Sequence, residues 1–119
     1  MGKKTIYGWA LINITGVETN DNVFSQDMKL SIIIPAFNEE DRIVRTLENT
    51  LLYLDKQKYT GEIVVISDGS TDRTKEVVEN FNSKERISLK CYEYHPNRGK
   101  GYAVRFGMLR GEGDFVMLK

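Results

Sequence analysis

The chain is 119 residues long, enough for one domain that buries roughly two thirds of its unfolded surface. An apolar content of 40% and a charged content of 29% exclude a disordered or fibrous chain. Seventeen basic and seventeen acidic side chains cancel, so no net field recruits nucleic acid or an anionic membrane. No apolar run approaches the ~20 residues of a membrane-spanning helix.

Residues 1–29 read as an N-terminal arm, with a strand pattern over Thr5 to Ile14 and a polar, loop-like or mobile stretch around Asn20-Asp21-Asn22. Lys3-Lys4 ahead of Ile6 to Ile14 imitates a signal peptide only faintly, because Gly8 and Asn13 interrupt it and no small-residue cleavage site follows. A boundary is expected near Met28.

From Leu30 the pattern becomes periodic. Leu30 to Ile34 reads as a buried strand closed by Pro35, which lacks the N–H that a central strand needs. Asn38 or the acidic group Glu39-Glu40-Asp41 opens a helix, with negative charge at its positive end. Ile43, Leu47, Leu51 and Leu54 give that helix one apolar stripe. Ile63-Val64-Val65-Ile66 reads as a strand buried on both faces, stopping in the polar turn Ser67-Asp68-Gly69. Ser70, Thr71 and Asp72 are N-cap candidates for a helix to about Phe81. Ile87 to Cys91 alternates like an edge strand. His95-Pro96-Asn97 is a turn, a third helix is predicted from about Gly101 to Leu109, and Asp114 to Leu118 begins a fourth strand. This β-α-β-α-β-α-β order predicts an α/β fold: a Rossmann-like, doubly wound, mostly parallel sheet of about four strands, with three helices on its two faces.

In such sheets ligands bind beyond the carboxyl ends of the strands. Three phosphate-binding schemes fail on the residues found there. The turn after the first strand is Pro35-Ala36-Phe37-Asn38, not Gly-x-Gly-x-x-Gly. Tyr94 and Gly101 occupy the two places where a Walker loop around Gly99-Lys100 needs Gly and Ser or Thr. The acidic pair of a phosphoacceptor domain is also missing after the first strand. What remains is an aromatic ring (Phe37), a carboxylate (Asp68) and a basic glycine-rich turn (Arg98, Gly99, Lys100, Gly101), all on one edge of the sheet. That set suits a uridine diphosphate: Phe37 covers the base, Asp68 accepts the N3–H of uracil, and Arg98 or Lys100 faces base, ribose or diphosphate. The plainer readings stand beside it. Asp-Gly-Ser-Thr-Asp is also ordinary turn and cap chemistry, Glu39-Glu40-Asp41 an ordinary helix start, and Arg98 and Lys100 a solvated turn. His95 reads as a turn residue and Arg105 as a helix-surface residue.

Leu-Ser-Ile-Ile-Ile-Pro-Ala-Phe-Asn-Glu-Glu over 30–40, Val-Ile-Ser-Asp-Gly-Ser-Thr-Asp over 65–72 and Asn-Arg-Gly-Lys-Gly-Tyr-Ala-Val-Arg over 97–105 resemble, in order and spacing, the opening of a family 2 glycosyltransferase with the GT-A fold. The third element is most similar to the dolichyl-phosphate β-glucosyltransferase branch, with dolichyl-phosphate mannose synthases the near alternative. The resemblance implies nucleotide contacts from Pro35, Ala36, Phe37, Glu39, Asp68 and Gly69, with Arg98 and Lys100 nearby. It implies a UDP-sugar donor, UDP-glucose in that branch, and a polyprenyl phosphate or glycan acceptor. Transfer is expected to be inverting, with little need of a strong base because a phosphate acceptor is already anionic. Ser67 departs from the pair of aspartates often found there and leaves one fewer charge to orient basic neighbours.

In the family the last strand leads into an Asp-x-Asp that holds Mg²⁺ or Mn²⁺, which would fall after Lys119. Residues 30–119 are therefore expected to be the donor-binding half, truncated before that motif. No metal ligands are expected within the chain, the catalytic residues are expected downstream, and the half is expected to be inactive alone. The alternative is a non-catalytic nucleotide-sugar-binding module or split-enzyme subunit. The single Cys91 suits a reducing compartment. A cytoplasmic location, at a membrane face where the lipid acceptor or missing regions reach one, is the corresponding expectation.

Overall fold

The computed structural model describes residues 4–7, 29–57, 59–83 and 87–119. Strands β1 (Lys4–Tyr7), β2 (Lys29–Ala36), β3 (Thr60–Asp68), β4 (Ile87–Tyr94) and β5 (Phe115–Leu118) alternate, from β2 onward, with helices α1 (Ile43–Gln57), α2 (Thr74–Glu79) and α3 (Lys100–Arg110). The strands form one sheet in the order β1-β5-β2-β3-β4, and its pairings are parallel. The expected doubly wound sheet is therefore present, with β4 at an edge. The strand pattern near the N-terminus supplies a fifth strand, which pairs Lys4 to Tyr7 with Phe115 to Leu118. The remainder of that pattern, the Asn20-Asp21-Asn22 stretch and the boundary near Met28 lie outside the described residues.

Parallel strands covered on both sides need apolar side chains at every position. Ile32, Ile33 and Ile34 of β2 and Ile63 to Ile66 of β3 meet that need, none more than 4% exposed. Ile32, Ile34, Ile63 and Val65 face the stripe Ile43, Leu47, Leu51 and Leu54 of α1 and Val78 of α2. Ile33, Val64, Ile66 and Val116 face α3 through Ala103. Each fully buried aliphatic side chain of this kind contributes ~1.5–3 kcal/mol. On the α3 side the helix lies so close that a Cβ on Gly107 would sit 2.4 Å from Ile33 Cγ2.

Several boundaries differ from expectation: α1 starts at Ile43, after the acidic group rather than at Asn38 or within Glu39-Glu40-Asp41, α2 ends at Glu79 rather than Phe81, and β4 runs past Cys91 to Tyr94. β2 does not stop before Pro35 but runs through it to Ala36, paired with Ile66 and Ser67 of β3. The reason is register. Ile33 accepts from the Lys119 N–H on the β5 side, and Pro35, two residues on, turns its missing N–H to that same side, beyond the last β5 pair. Helix α2 begins at Thr74 rather than Thr71, because Ser70 to Asp72 are engaged elsewhere, as described below.

The amino end of the sheet is held by a buried carboxylate. Glu62 accepts from the Ser31 hydroxyl at 2.6 Å and from the Glu112 N–H, and pairs with Lys90 Nζ at 3.0 Å. The Gly113 N–H in turn donates to Ser31 Oγ at 2.7 Å, which ties the α3–β5 turn to β2 and β3. Among the described residues, no helix is long and apolar enough to cross a membrane.

Burial alone would raise the Glu62 pKa, but the bonds from Ser31, the Glu112 N–H and Lys90 outweigh it and hold it below its ordinary value of 4.5. A carboxyl depressed in the folded state adds stability above that value and loses it as pH falls through the folded pKa. Glu62→Gln is therefore expected to lower the denaturation midpoint at neutral pH, and to make the further loss between neutrality and about pH 3 smaller than in the unmodified chain. Urea titrations at the two pH values check this; equal acid losses would contradict it.

Candidate nucleotide-binding site

At the carboxyl ends of β2 and β3 lies a cleft of about 720 Å³ lined by Pro35, Ala36, Phe37, Asp68, Asn97, Gly99, Lys100 and Lys119. Its walls follow from chain order. β2 delivers Pro35, Ala36 and Phe37, β3 delivers Asp68, and the β4–α3 turn delivers Asn97, Gly99 and Lys100.

Asp68 is 4% exposed. Its Oδ1 accepts the Arg98 N–H at 2.8 Å and its Oδ2 the Gly99 N–H at 3.0 Å, while its main-chain carbonyl accepts from Asn97 Nδ2 at 2.9 Å. The carboxylate thus anchors the start of α3, whose cap residue Gly99 makes no side-chain cap bond of its own. Two carboxylate oxygens offer about four acceptor positions, so these two bonds leave acceptor capacity at a group that lines the cleft. Phe37, which also lines the cleft, is 48% exposed. A large exposed apolar ring beside an acceptor is a platform for a planar, partly polar ligand.

Gly69 has a positive φ of 68°, a conformation that costs a glycine little. A Cβ there would meet the Asn97 nitrogen at 2.2 Å. Gly69 therefore lets the β4–α3 turn close over the end of β3 rather than touching the cleft.

The loops after β2 and β3 are bound to each other. Asn38, at φ 51°, donates its N–H to Ser70 Oγ at 3.0 Å and accepts through Oδ1 from the N–H groups of Thr71 (2.8 Å) and Asp72 (3.3 Å). The Glu39 N–H donates to Thr74 Oγ1 at 2.9 Å and the Glu40 N–H to Asp72 Oδ2 at 3.1 Å. Asp72 Oδ1 also accepts the Thr74 N–H at 3.0 Å. Burial would raise the Asp72 pKa, but the bonds from Thr74 and Glu40 hold it below its ordinary value. The turn reading of Asp72 describes these contacts; the cap of α2 is Arg73, which makes no side-chain cap bond, and not Ser70, Thr71 or Asp72.

Of the residues singled out from sequence, Pro35, Ala36, Phe37, Asp68 and Lys100 come together around the cleft. Glu39 turns away, pairing with Arg42 through Oε2–Nε at 2.7 Å and Oε1–Nη2 at 3.0 Å; the Arg42 bond lowers its pKa. The Arg98 guanidinium lies over the Tyr102 ring, 5.1 Å from its centroid, so Arg98 serves Asp68 through its main chain. Asn97, read only as a turn residue, lines the cleft. Its signal was its place ahead of Arg-Gly-Lys-Gly, since Asn side chains commonly bond nearby backbone in turns. Glu93 was not singled out. It lies in register with Ser67 and accepts from the Ser67 hydroxyl at 2.7 Å, supplying a carboxylate beside the position that carries one fewer charge. His95 Nε2 is 3.3 Å from the same carboxylate.

This arrangement is a cleft at the carboxyl edge of a parallel α/β sheet, the place where such folds bind ligands. Residues 31–118 match the glycosyl transferase family 2, and the chain belongs to that family. Among curated relatives, it is similar to a dolichyl-phosphate beta-glucosyltransferase of Trichomonas vaginalis, 43% identical over 94 residues that make up 75% of this chain and 29% of the relative. The enzyme of that name from Drosophila melanogaster is 39% identical over 95 residues, 75% of this chain and 29% of the relative. The human one is 31% identical over 108 residues, 85% of this chain and 33% of the relative. The chain thus spans about three tenths of the length of these relatives.

Asn38→Ala removes the acceptor for Thr71 and Asp72 and places an ordinary side chain at positive φ. It is expected to cost about 1–3 kcal/mol, read as a lower urea midpoint at unchanged slope. A midpoint equal to that of the unmodified chain would show that the loop clamp contributes nothing to stability.

Proposed function

We propose that the cleft binds the uridine diphosphate part of a nucleotide-sugar donor. The protein to which the chain belongs would then transfer a hexose, glucose from UDP-glucose being the reading its relatives' names favour, to a polyprenyl phosphate of the dolichyl type. The observation that carries this is the Asp68 carboxylate, buried and held by two main-chain N–H groups, yet lining the same cleft as the exposed Phe37. Uracil presents an N3–H to such an acceptor, whereas cytosine has no hydrogen at N3. Phe37 supplies a face for the base, and Lys100, at the positive end of α3, supplies charge for the diphosphate.

Asp68 would orient the donor by its base, and the loops clamped through Asn38 and Asp72 would hold Phe37 in place for it. An acceptor phosphate is already anionic at neutral pH, so its attack on the anomeric carbon requires little general-base help. The complete reaction is expected to use Mg²⁺ or Mn²⁺. The described residues bring together no group of three or more His, Cys, Asp or Glu able to hold a metal ion. On this reading the chain is the donor-binding part of an inverting transferase working at the cytoplasmic face of a membrane.

Titration calorimetry tests the base-reading role. UDP is expected to bind more tightly than CDP or GDP. Asp68→Asn, which keeps the shape but replaces an acceptor with a donor, is expected to weaken UDP by about tenfold or more and to narrow its advantage over CDP. Equal affinity of the unmodified chain for the three nucleotides would overturn the reading.

A further inference from the structure

On the strand beside Asp68 stands a buried hydroxyl with no hydrogen-bond partner among the described residues. Tyr94 ends β4 in register with Asp68, and paired residues of parallel strands project to the same face of the sheet. Its ring is held by two neighbours from α3, Tyr102 with centroids 5.3 Å away and Phe106 at 5.0 Å. The Tyr94 hydroxyl oxygen is buried and has no hydrogen-bond partner among the described residues. Burial, and after it the adjacent Asp68 carboxylate, raise the Tyr94 pKa above the ordinary tyrosine value, with Tyr102 adding to this and Arg98 opposing it. The hydroxyl therefore remains a donor. An unpaired buried hydroxyl is destabilising, and phenylalanine would fill the same space without that cost.

We propose that Tyr94 is a positioning residue for Asp68: its hydroxyl donates to the carboxylate when a nucleotide base engages it, holding the remaining acceptor position toward the cleft. The inference rests on Asp68 being the base-reading group. The two main-chain bonds come from Arg98 and Gly99, which are neighbours in one turn, so they brace the carboxylate from one direction only. Tyr94, on the adjacent strand, braces it from another. The hydroxyl is too deeply buried to meet a ligand itself, and any influence on binding must pass through Asp68. A purely structural tyrosine would behave otherwise. Losing an unpaired hydroxyl would leave stability equal or higher and nucleotide binding unchanged.

The test is Tyr94→Phe in the full chain, with UDP and CDP affinities measured by calorimetry beside Asp68→Asn and the double variant. Tyr94→Phe is expected to leave the melting temperature equal to or above that of the unmodified chain, to weaken UDP by about fivefold and to leave CDP unaffected. In the Asp68→Asn background it should have no further effect. Unchanged UDP affinity in Tyr94→Phe, or a loss that adds in full to that of Asp68→Asn, would overturn the proposal. A second readout follows the hydroxyl itself. In protein carrying tyrosine labelled with ¹³C at Cζ, the resonance missing from Tyr94→Phe should shift when the unmodified chain is saturated with UDP. A resonance that stays in place under saturating UDP would overturn the Tyr94–Asp68 bond, whereas normal UDP binding by Asp68→Asn would instead overturn the base-reading role of Asp68.

Discussion

A buried carboxylate needs hydrogen bonds, and the way Asp68 obtains them organises the carboxyl edge of the sheet. Left without donors, an anion this deep in the fold would be costly. The Arg98 and Gly99 N–H groups satisfy it, and in doing so bring the first turn of α3 down onto the end of β3. The cleft between that turn and the loop after β2 follows from this contact. So does the placement of Lys100, which the anchored turn carries to the cleft wall.

Two further devices keep the edge in shape. The loops after β2 and β3 are clamped through Asn38, Ser70, Asp72 and Thr74, so Phe37 follows a loop that is tied to the neighbouring one. At the other end of the sheet the Glu62–Ser31–Lys90 network holds the turn between α3 and β5. Helix α3 is thereby pinned at both ends, by one carboxylate at the carboxyl edge and another at the amino edge. Between them its close approach at Gly107 sets its distance from β2.

Much of this was legible in the residues. Unbroken aliphatic runs identify β2 and β3 as strands covered on both faces, and the four-four-three spacing of Ile43, Leu47, Leu51 and Leu54 identifies α1. These are local signals, set by burial on one or two faces of a single element. That Phe37, Asp68 and Lys100 line one cleft was also legible, because the carboxyl edge of a parallel sheet is where consecutive loops converge. Side-chain direction was not. Glu39 looks like a ligand in sequence, but Arg42 lies one helical turn away and claims its carboxylate. Arg98 looks like a phosphate contact, but its guanidinium lies over Tyr102. Pro35 looks like a strand terminator, and it is tolerated because of where β5 stops pairing.

The amino-acid order by itself determined the element sequence, the two-faced burial of the central strands and the edge on which a ligand would sit. Each of these depends on periodicity or on loop order, which are properties of one segment at a time. Only the tertiary structure decided which oxygen of Asp68 meets which N–H, that Glu93 stands beside Ser67, and that Tyr94 ends its strand in register with Asp68. Those pairings join residues some 26 to 31 positions apart along the chain. Strand register creates them, and register is settled by the packing of the whole sheet rather than by any stretch within it.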